Sequence, residues 1–147
     1  MNVRGWLADA TTWSRGDAVR WLGIAAAVML GLGTFMPWFV ARDDSLDLTV
    51  AVPGIGPGAQ GLTVLALAAI CVIAFGASTV VACRIAALVA GLAVVLVAIG
   101  FNPSPALIEA LGLPGTIQIG FGMWVSTIAA GVAAGVGVYG AFALHEA

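Results

Sequence analysis

The chain has 147 residues, of which 62% are hydrophobic and 8% are charged, with a mean hydropathy of +1.13 and a formal net charge of −2. Soluble domains carry about 25% charged residues, so this chain cannot cover a soluble globule with polar groups. The composition therefore excludes an ordinary soluble domain. It predicts one integral membrane domain over residues 1–147 that uses lipid as its solvent.

The first predicted element is a short helix over residues 3–14 that lies in the membrane interface. Trp6 and Trp13 are one heptad apart and therefore share a helix face. A loose tail whose tryptophans enter the lipid is the alternative. Ser14 and Asp17 then match the spacing of a capping box, which predicts that a longer helix begins here.

Four apolar stretches follow, at about 18–40, 62–82, 85–101 and 123–144. A bilayer core about 30 Å thick requires about 20 helical residues, a length that all but the third stretch reach. None of the stretches holds a charged residue in its interior. The sequence therefore predicts an all-α membrane protein, a bundle of four transmembrane helices.

The arginines predict how these helices are oriented. Arg4, Arg15 and Arg20 lie before or at the start of the first stretch and Arg84 lies between the second and third, whereas only Arg42 belongs to the opposite side. Because positive residues favour cytoplasmic segments, we expect a protein of the inner (plasma) membrane with both termini in the cytoplasm. The predicted interfacial anchors are aromatic residues near the helix ends, Trp6, Trp13, Trp21, Trp38, Trp124 and Tyr139.

The two outward-facing loops are predicted to hold some extended structure. Apolar and polar residues alternate over 46–52, in the loop after the first stretch, and again over 116–119, before the fourth. This alternation is the periodicity of a strand. We expect the two pieces to pair with each other in a small β-like layer that covers the outer end of the helices.

Candidate chemistry is sparse. Arg42, Asp43, Asp44 and Asp47 form a charged cluster after the first stretch. A calcium loop needs more oxygen ligands and a glycine-shaped turn, so a solvated exit from the membrane is the preferred interpretation. The stretches also lack the ionisable groups at membrane depth that ion-coupled carriers need. We therefore expect a protein that is not an enzyme and has no catalytic residue, metal or cofactor.

Small residues spaced four apart recur within the apolar stretches. Such spacing lets helix backbones approach closely, which favours helix association in lipid. Two interpretations remain open: the small residues pack the four helices against one another, or at least one face, above all that of the fourth stretch, docks on a partner. The candidate interaction residues are Ala87, Gly91, Gly131, Gly135 and Gly137.

The order of several motifs resembles that of a known group of proteins. Pro37 and Trp38 close the first stretch, a glycine-rich segment leads into the second, Arg84 marks a turn, and a G-x-G-x-W motif from Gly120 to Trp124 opens the fourth. This layout resembles that of small four-span integral membrane proteins of actinobacterial type, many of them uncharacterised. The resemblance implies an inner-membrane protein of accessory function and carries over no catalytic position.

The leading functional hypothesis is a non-catalytic accessory or scaffolding subunit that packs against a larger membrane assembly, of the respiratory or the envelope lipid-transport type. Its expected partners are membrane lipids together with a membrane protein or a second copy of the chain, and not nucleic acid. One alternative is a small homo-oligomeric pore or holin-like protein, for which Ser126, Thr127 and Tyr139 are the only candidate polar face. Another is a lipid-binding or sensing module whose outer sheet covers a groove between helices.

Overall fold

The computed structural model describes residues 15–43, 47–56, 60–101 and 116–145. This part of the chain is mostly helical. It contains four helices and three short strands, in the order α1 (Arg15–Gly33), β1 (Pro37–Asp43), β2 (Leu48–Pro53), α2 (Gly61–Ala77), α3 (Val80–Gly100), β3 (Thr116–Ile119) and α4 (Phe121–Ala143). The predicted interfacial helix over 3–14 lies outside the described residues.

Three of these helices are long and apolar enough to cross a membrane. They are α1 over Gly16–Gly33 with 18 residues, α3 with 21 residues and α4 with 23 residues. α2 is also apolar but has 17 residues, which is at the lower limit for a membrane-spanning helix. The prediction of a helical membrane protein is confirmed to this extent, with three candidate spans in the described part of the chain.

The first helix ends earlier than predicted. α1 stops at Gly33 and not near residue 40, and the N–H of Thr34 donates to the carbonyl of Gly31 at 3.1 Å in a tight final turn. Pro37 has no N–H group with which to continue a helix, and the residues that follow it pair as strand β1. The prediction that the first span runs over 18–40 is therefore wrong in its last turns.

The boundary between the second and third helices is also displaced. The prediction placed it between residues 82 and 85, whereas α2 and α3 are separated only by Ser78 and Thr79. Ser78 stops α2 by adopting a left-handed φ of 50°. The Thr79 hydroxyl accepts a hydrogen bond from the N–H of Ala82 at 3.2 Å and so caps α3. Arg84 consequently lies inside α3 and not in a turn, and α3 is the longer of the two helices.

The four helices pack in the closed order α1–α2–α3–α4, with α4 also against α1. A Cβ placed on Gly100, at the end of α3, would lie 3.1 Å from Cε of Met123 near the start of α4. One placed on Gly33, at the end of α1, would lie 3.1 Å from the backbone nitrogen of Ser126. α4 therefore runs antiparallel to both of its neighbours, and the two-residue connection makes α2 and α3 antiparallel as well.

This arrangement gives the molecule two ends. The sheet end holds the last residues of α1 and α3, the first residues of α2 and α4, and the three strands; the open end holds the opposite helix termini. The interior differs between them. Large side chains such as Leu30, Trp38 and Met123 belong to the cluster nearer the sheet end, whereas alanines around Cys71 and Phe75 dominate the cluster nearer the open end.

A small antiparallel sheet is present, but its strand order differs from the prediction. The order is β2–β1–β3, with Ala41 of β1 opposite Val50 of β2 on one side and Ile117 of β3 on the other. The two predicted strands therefore do not pair with each other, because β1 lies between them. Phe39 and Ala41 are buried while Arg42 is exposed, so one face of the sheet packs on the helices.

Backbone hydrogen bonds join the sheet to the helix ends. The N–H of Gly120, just before α4, donates to the carbonyl of Trp38 at 2.6 Å, and the N–H of Gly61, the first residue of α2, donates to the carbonyl of Gly54 at 2.9 Å. A Cβ at Gly61 would overlap the Gly54 carbonyl, and one at Gly120 would overlap the Pro37 carbonyl. Both positions therefore require glycine because two backbones meet there.

Candidate interaction surfaces

The charged residues of the described helices belong to the turns near the open end. Arg15, Asp17 and Arg20 are in the first turns of α1 and Arg84 is in the second turn of α3, while α2 and α4 contain no charged residue. Within the described ranges, no group of three or more His, Cys, Asp or Glu residues is placed to hold a metal ion. The features that the packing of these helices does bring together are apolar surfaces and two basic side chains, those of Arg84 and His145.

The charged cluster after α1 is a hairpin of the sheet. Arg42 and Asp43 are the last residues of β1, and Asp47 adopts a left-handed φ of 49° directly before β2. Aspartate is one of the few residue types that tolerate this conformation. Asp44 lies outside the described residues. The charged segment, which was interpreted from the sequence only as the place where the chain leaves the membrane, thus includes the end of a strand and a turn residue.

Trp38 occupies a different place from that of a predicted interfacial anchor. Its side chain is 1% exposed, and its Nε1 donates a hydrogen bond to the carbonyl of Gly33 at 3.0 Å. That carbonyl belongs to the last turn of α1, where carbonyls have no partner within the helix. A Cβ at Gly54 would overlap the indole ring, and one at Gly100 would lie 3.7 Å from Cζ3. Trp38 therefore joins α1, α3 and the turn after β2 at the sheet end.

The other predicted anchors within the described ranges have exposed side chains. Trp21 is 53% exposed and Tyr139 is 56% exposed toward the open end, and Trp124 is 51% exposed at the sheet end. The Arg20 guanidinium carbon lies 5.6 Å from the centre of the Trp21 ring, and Phe101 meets Trp124 edge to face with ring centroids 5.5 Å apart. Their anchoring role stays a prediction, and Trp6 and Trp13 lie outside the described residues.

The five candidate packing residues divide into two groups. A Cβ at Gly137 of α4 would lie 2.8 Å from the backbone nitrogen of Ala87 on α3, so this pair forms a close contact within the chain. A Cβ at Gly91, Gly131 or Gly135 would meet no atom within 4 Å. Ala87 and Gly137 thus pack two helices of the chain against each other, whereas the docking of the other small residues on a partner stays a prediction.

The outward glycines of α4 lie beside an apolar groove between α1 and α4. The groove has a volume of about 370 Å³ and is lined by residues that include Leu22 and Met29 of α1 and Ile128 and Val132 of α4. Gly131 and Gly135 follow Ile128 and Val132 at helical spacing on the exposed side of α4. We call this combined surface the α1–α4 face: Leu22, Met29, Ile128, Gly131, Val132 and Gly135.

A second groove lies between α3 and α4 at the open end. It has a volume of about 400 Å³, and its lining includes Arg84 and Leu88 of α3 with Val138, Phe142 and His145 on and just after α4. We call it the α3–α4 groove. The sequence did not associate Arg84 with His145, because they are far apart in the chain and only the antiparallel packing of α3 and α4 brings them together.

Comparison of the chain with protein-family models, with curated proteins and with solved structures finds no match. The resemblance to small four-span proteins of actinobacterial type therefore stays a prediction. The surfaces described above, the α1–α4 face with its two outward glycines and the α3–α4 groove with its two basic groups, are the features from which a function is inferred.

Proposed function

We propose that the chain is a non-catalytic accessory subunit of a membrane assembly, and that its α1–α4 face docks on a transmembrane helix of a partner protein. The observation that carries this proposal is the open space around Gly131 and Gly135, where a Cβ would meet no atom of the chain within 4 Å. Gly137, two residues after Gly135 on α4, has the opposite environment because it packs on Ala87.

The energetic reason is the cost of glycine in a helix. Glycine in a helix interior is about 1 kcal/mol less favourable than alanine, and no packing within the described chain uses Gly131 or Gly135. In lipid, where apolar side chains gain little by leaving the solvent, helices associate through close packing at such small residues. A partner helix seated on this face would contact Ile128, which is 64% exposed, and Val132, which is 48% exposed.

All four helices cross the membrane in this proposal. α1 ends at the sheet end and α3 begins at the open end. If α1 and α3 both cross the membrane, α2 must therefore also cross it, from the sheet side to the open side. Its 17 residues extend about 26 Å at 1.5 Å per residue, close to the thickness of a bilayer core. The antiparallel packing of α2 between α1 and α3 supports a four-span bundle.

The open end faces the cytoplasm in the proposed orientation. Arg15, Arg20 and Arg84 belong to this end, whereas Arg42 belongs to the sheet, and the positive-inside rule favours the side with more arginines. Both termini are then cytoplasmic in a plasma-membrane protein, and the sheet lies outside. A Thr49→Cys variant should react with a membrane-impermeant maleimide in intact cells, and a His145→Cys variant should react only after lysis.

The native cysteines give a low background for this labelling, because Cys71 and Cys83 are both free and buried. Thr49 and His145 are both exposed side chains, so a difference in their labelling reports the membrane side and not burial. Labelling of His145→Cys in intact cells, with protection of Thr49→Cys, would reverse the proposed orientation.

The pore alternative receives less support. Ser126 is fully buried, and its hydroxyl has no hydrogen-bond partner among the described residues. The Thr127 hydroxyl donates to the carbonyl of Met123 at 2.8 Å within α4. The hydroxyl groups of Ser126 and Thr127 thus face the interior or their own helix. Of the three candidate residues only Tyr139 is exposed, on a side of α4 that is otherwise largely apolar. Ion flux through liposomes containing the purified protein would favour the pore over the accessory role.

Co-purification tests the docking proposal directly. Tagged wild-type protein, extracted with a mild detergent, should migrate in a larger complex on a blue-native gel, and combined Gly131→Leu and Gly135→Leu substitutions should release it. Gly76→Leu is the matched control, because Gly76 is a helical glycine of α2 with no atom within 4 Å of a Cβ. A wild-type protein that migrates alone, or that assembles only with itself, would contradict the accessory role, as would equal loss of the partner in the control.

A further inference from the structure

We infer that the α3–α4 groove binds an anionic phospholipid of the surrounding bilayer, with Arg84 and His145 at the headgroup and one acyl chain along the apolar walls. This inference requires only that α3 and α4 lie in a membrane. It is independent of the docking proposed for the α1–α4 face, because the two surfaces share no residue.

The polar and apolar groups of the groove are separated along its length. On α3, Arg84 precedes Ala87 and Leu88 at the spacing of one helix face, and on α4 the same spacing relates Val138 to Phe142, with His145 just beyond the helix. Because α3 and α4 are antiparallel, with Gly140 beside Cys83 and Gly137 beside Ala87, His145 is outermost, Phe142 and Arg84 follow, and Ala87, Leu88 and Val138 lie deepest. The deepest residues are thus all apolar and the outermost is polar, which is the order of acyl chain and headgroup in a phospholipid.

The inner part of the groove has a defined floor. A Cβ at Gly137 would lie 3.0 Å from Cα of Ala87, so the two backbones approach closely and leave no room for a chain between them. Leu88 is 77% exposed and Phe142 is 69% exposed, and both side chains stand beside this contact. From Val138 to His145 the groove extends about 10 Å at 1.5 Å per residue, which accommodates the upper part of one acyl chain.

The charge of the groove selects an anionic headgroup. The described residues that line it include an arginine and a histidine and no carboxylate, so these residues present hydrogen-bond donors to a phosphate. Guanidinium groups bind phosphate through two parallel hydrogen bonds, and basic pockets between helices near the cytoplasmic surface are suited to anionic lipids. Inorganic phosphate would leave the apolar walls unused, which favours a lipid as the source of the phosphate.

The α1–α4 groove provides an internal comparison. Its volume of about 370 Å³ is close to the 400 Å³ of the α3–α4 groove, but all its lining residues are apolar. Acyl chains can fill either groove, whereas discrimination between headgroups is expected only where Arg84 and His145 are present. Headgroup selectivity is therefore the property that distinguishes a lipid site from a merely lipid-covered surface.

Native mass spectrometry of the full chain tests this selectivity. Protein in mild detergent is mixed with phosphatidylglycerol and phosphatidylcholine that carry the same acyl chains, and the lipids retained on the protein are counted. We expect the wild type to retain one phosphatidylglycerol in preference to phosphatidylcholine. Arg84→Gln should lower this preference roughly fivefold, the factor contributed by one arginine near an anionic surface.

Two controls separate the groove from general electrostatics and from unfolding. Arg20→Gln removes an exposed arginine near the same end that lines neither groove, and it should leave the preference unchanged. Ala141→Leu fills the α3–α4 groove while keeping Arg84, and should reduce retention of phosphatidylglycerol; Ala98→Leu, on an exposed part of α3 outside both grooves, should not. The elution volume of each variant in size-exclusion chromatography reports whether it is folded.

The outcomes that overturn the inference are equally specific. Equal retention of the two lipids by the wild type would show that the groove does not select a headgroup. Equal effects of Arg84→Gln and Arg20→Gln would assign the preference to diffuse surface charge. Displacement of phosphatidylglycerol by millimolar inorganic phosphate would show that the basic groups bind the ion alone. Each of these results leaves the docking of the α1–α4 face untouched.

Discussion

Glycines at the sheet end of the four helices and on the outward side of α4 have opposite environments. At the sheet end, glycines let backbones meet: Gly61 faces the Gly54 carbonyl and Gly120 faces the Pro37 carbonyl, with no room for a Cβ. On the outward side of α4, Gly131 has open space. The difference teaches that glycine content alone does not identify an interaction surface, since what decides is whether the chain already fills the space.

The two ends also differ in which groups form hydrogen bonds with the backbone at the helix ends. At the sheet end, strand pairing satisfies the backbone groups of the residues between the helices. The Trp38 indole donates to a carbonyl at the end of α1. At the open end, α2 and α3 are separated by Ser78 and Thr79 alone, and both side chains hydrogen-bond to the local backbone. The sheet end is therefore built from distant parts of the chain, whereas the connection between α2 and α3 at the open end is held by local hydrogen bonds.

The largest effect is expected at the centre of the sheet end. Trp38→Ala should lower the free energy of unfolding by about 3–5 kcal/mol, because it removes a buried indole and leaves a cavity. It also removes the shorter of the two hydrogen bonds to the Gly33 carbonyl, which is 3.0 Å from the indole nitrogen and 3.3 Å from the Met36 nitrogen. Thermal unfolding in detergent, followed by circular dichroism, measures the change. Trp124→Ala, at a half-exposed tryptophan near the same end, is the control and should cost much less; equal losses would contradict the central role of Trp38.

Two glycine substitutions are expected to change the free energy of unfolding in opposite directions. Gly120→Ala should destabilise the protein by about 1–3 kcal/mol, because its Cβ must displace backbone that cannot move freely. Gly131→Ala should stabilise the isolated protein by about 0.5–1 kcal/mol, since alanine is the better helix former and the site is open. The same unfolding assay measures both. Changes of the same sign would remove the distinction between the two glycine environments.

A smaller loss of stability than at Trp38 is expected at the open end. Thr79→Ala should lower the free energy of unfolding by about 1 kcal/mol through loss of the cap on α3. Ser78→Gly is the control: it should be neutral or stabilising, because glycine adopts the left-handed conformation of residue 78 without steric cost. A larger loss for Thr79→Ala than for Trp38→Ala would show that the open end, and not the sheet end, dominates stability.

Hydropathy and alternation predicted part of this architecture. Each apolar stretch overlaps one of the four helices over most of its length, and the alternation over 46–52 and 116–119 marks the regions of β2 and β3. Strand β1 was missed because its apolar residues directly continue the apolar run of α1, and hydropathy averages the two together. Pro37 was the available signal, since a proline disfavours helix in the residue before it. Ser78 and Thr79 likewise marked a helix boundary inside a run of apolar residues.

The candidate surfaces were less predictable for a geometric reason. Small-residue spacing places Ala87 and Gly91 on one side of α3, yet Ala87 contacts Gly137 whereas a Cβ at Gly91 would meet nothing. The angular position of a neighbouring helix decides this, and a single sequence does not encode that angle in any local pattern. The α3–α4 groove depends on the same packing, because it joins residues 84–88 to residues 138–145.

The strand order has a consequence for how the protein is made. β1 and β2 form a hairpin from neighbouring residues, so they can pair soon after synthesis, but the other edge of β1 waits for β3, where Phe39 meets Ile119. Until then this edge presents unpaired backbone groups, the feature that invites incorrect strand pairing. β3 directly precedes α4, so we expect β3 to pair with β1 at the same stage at which α4 packs on the other helices. The last part of the chain therefore completes both the sheet and the helix bundle.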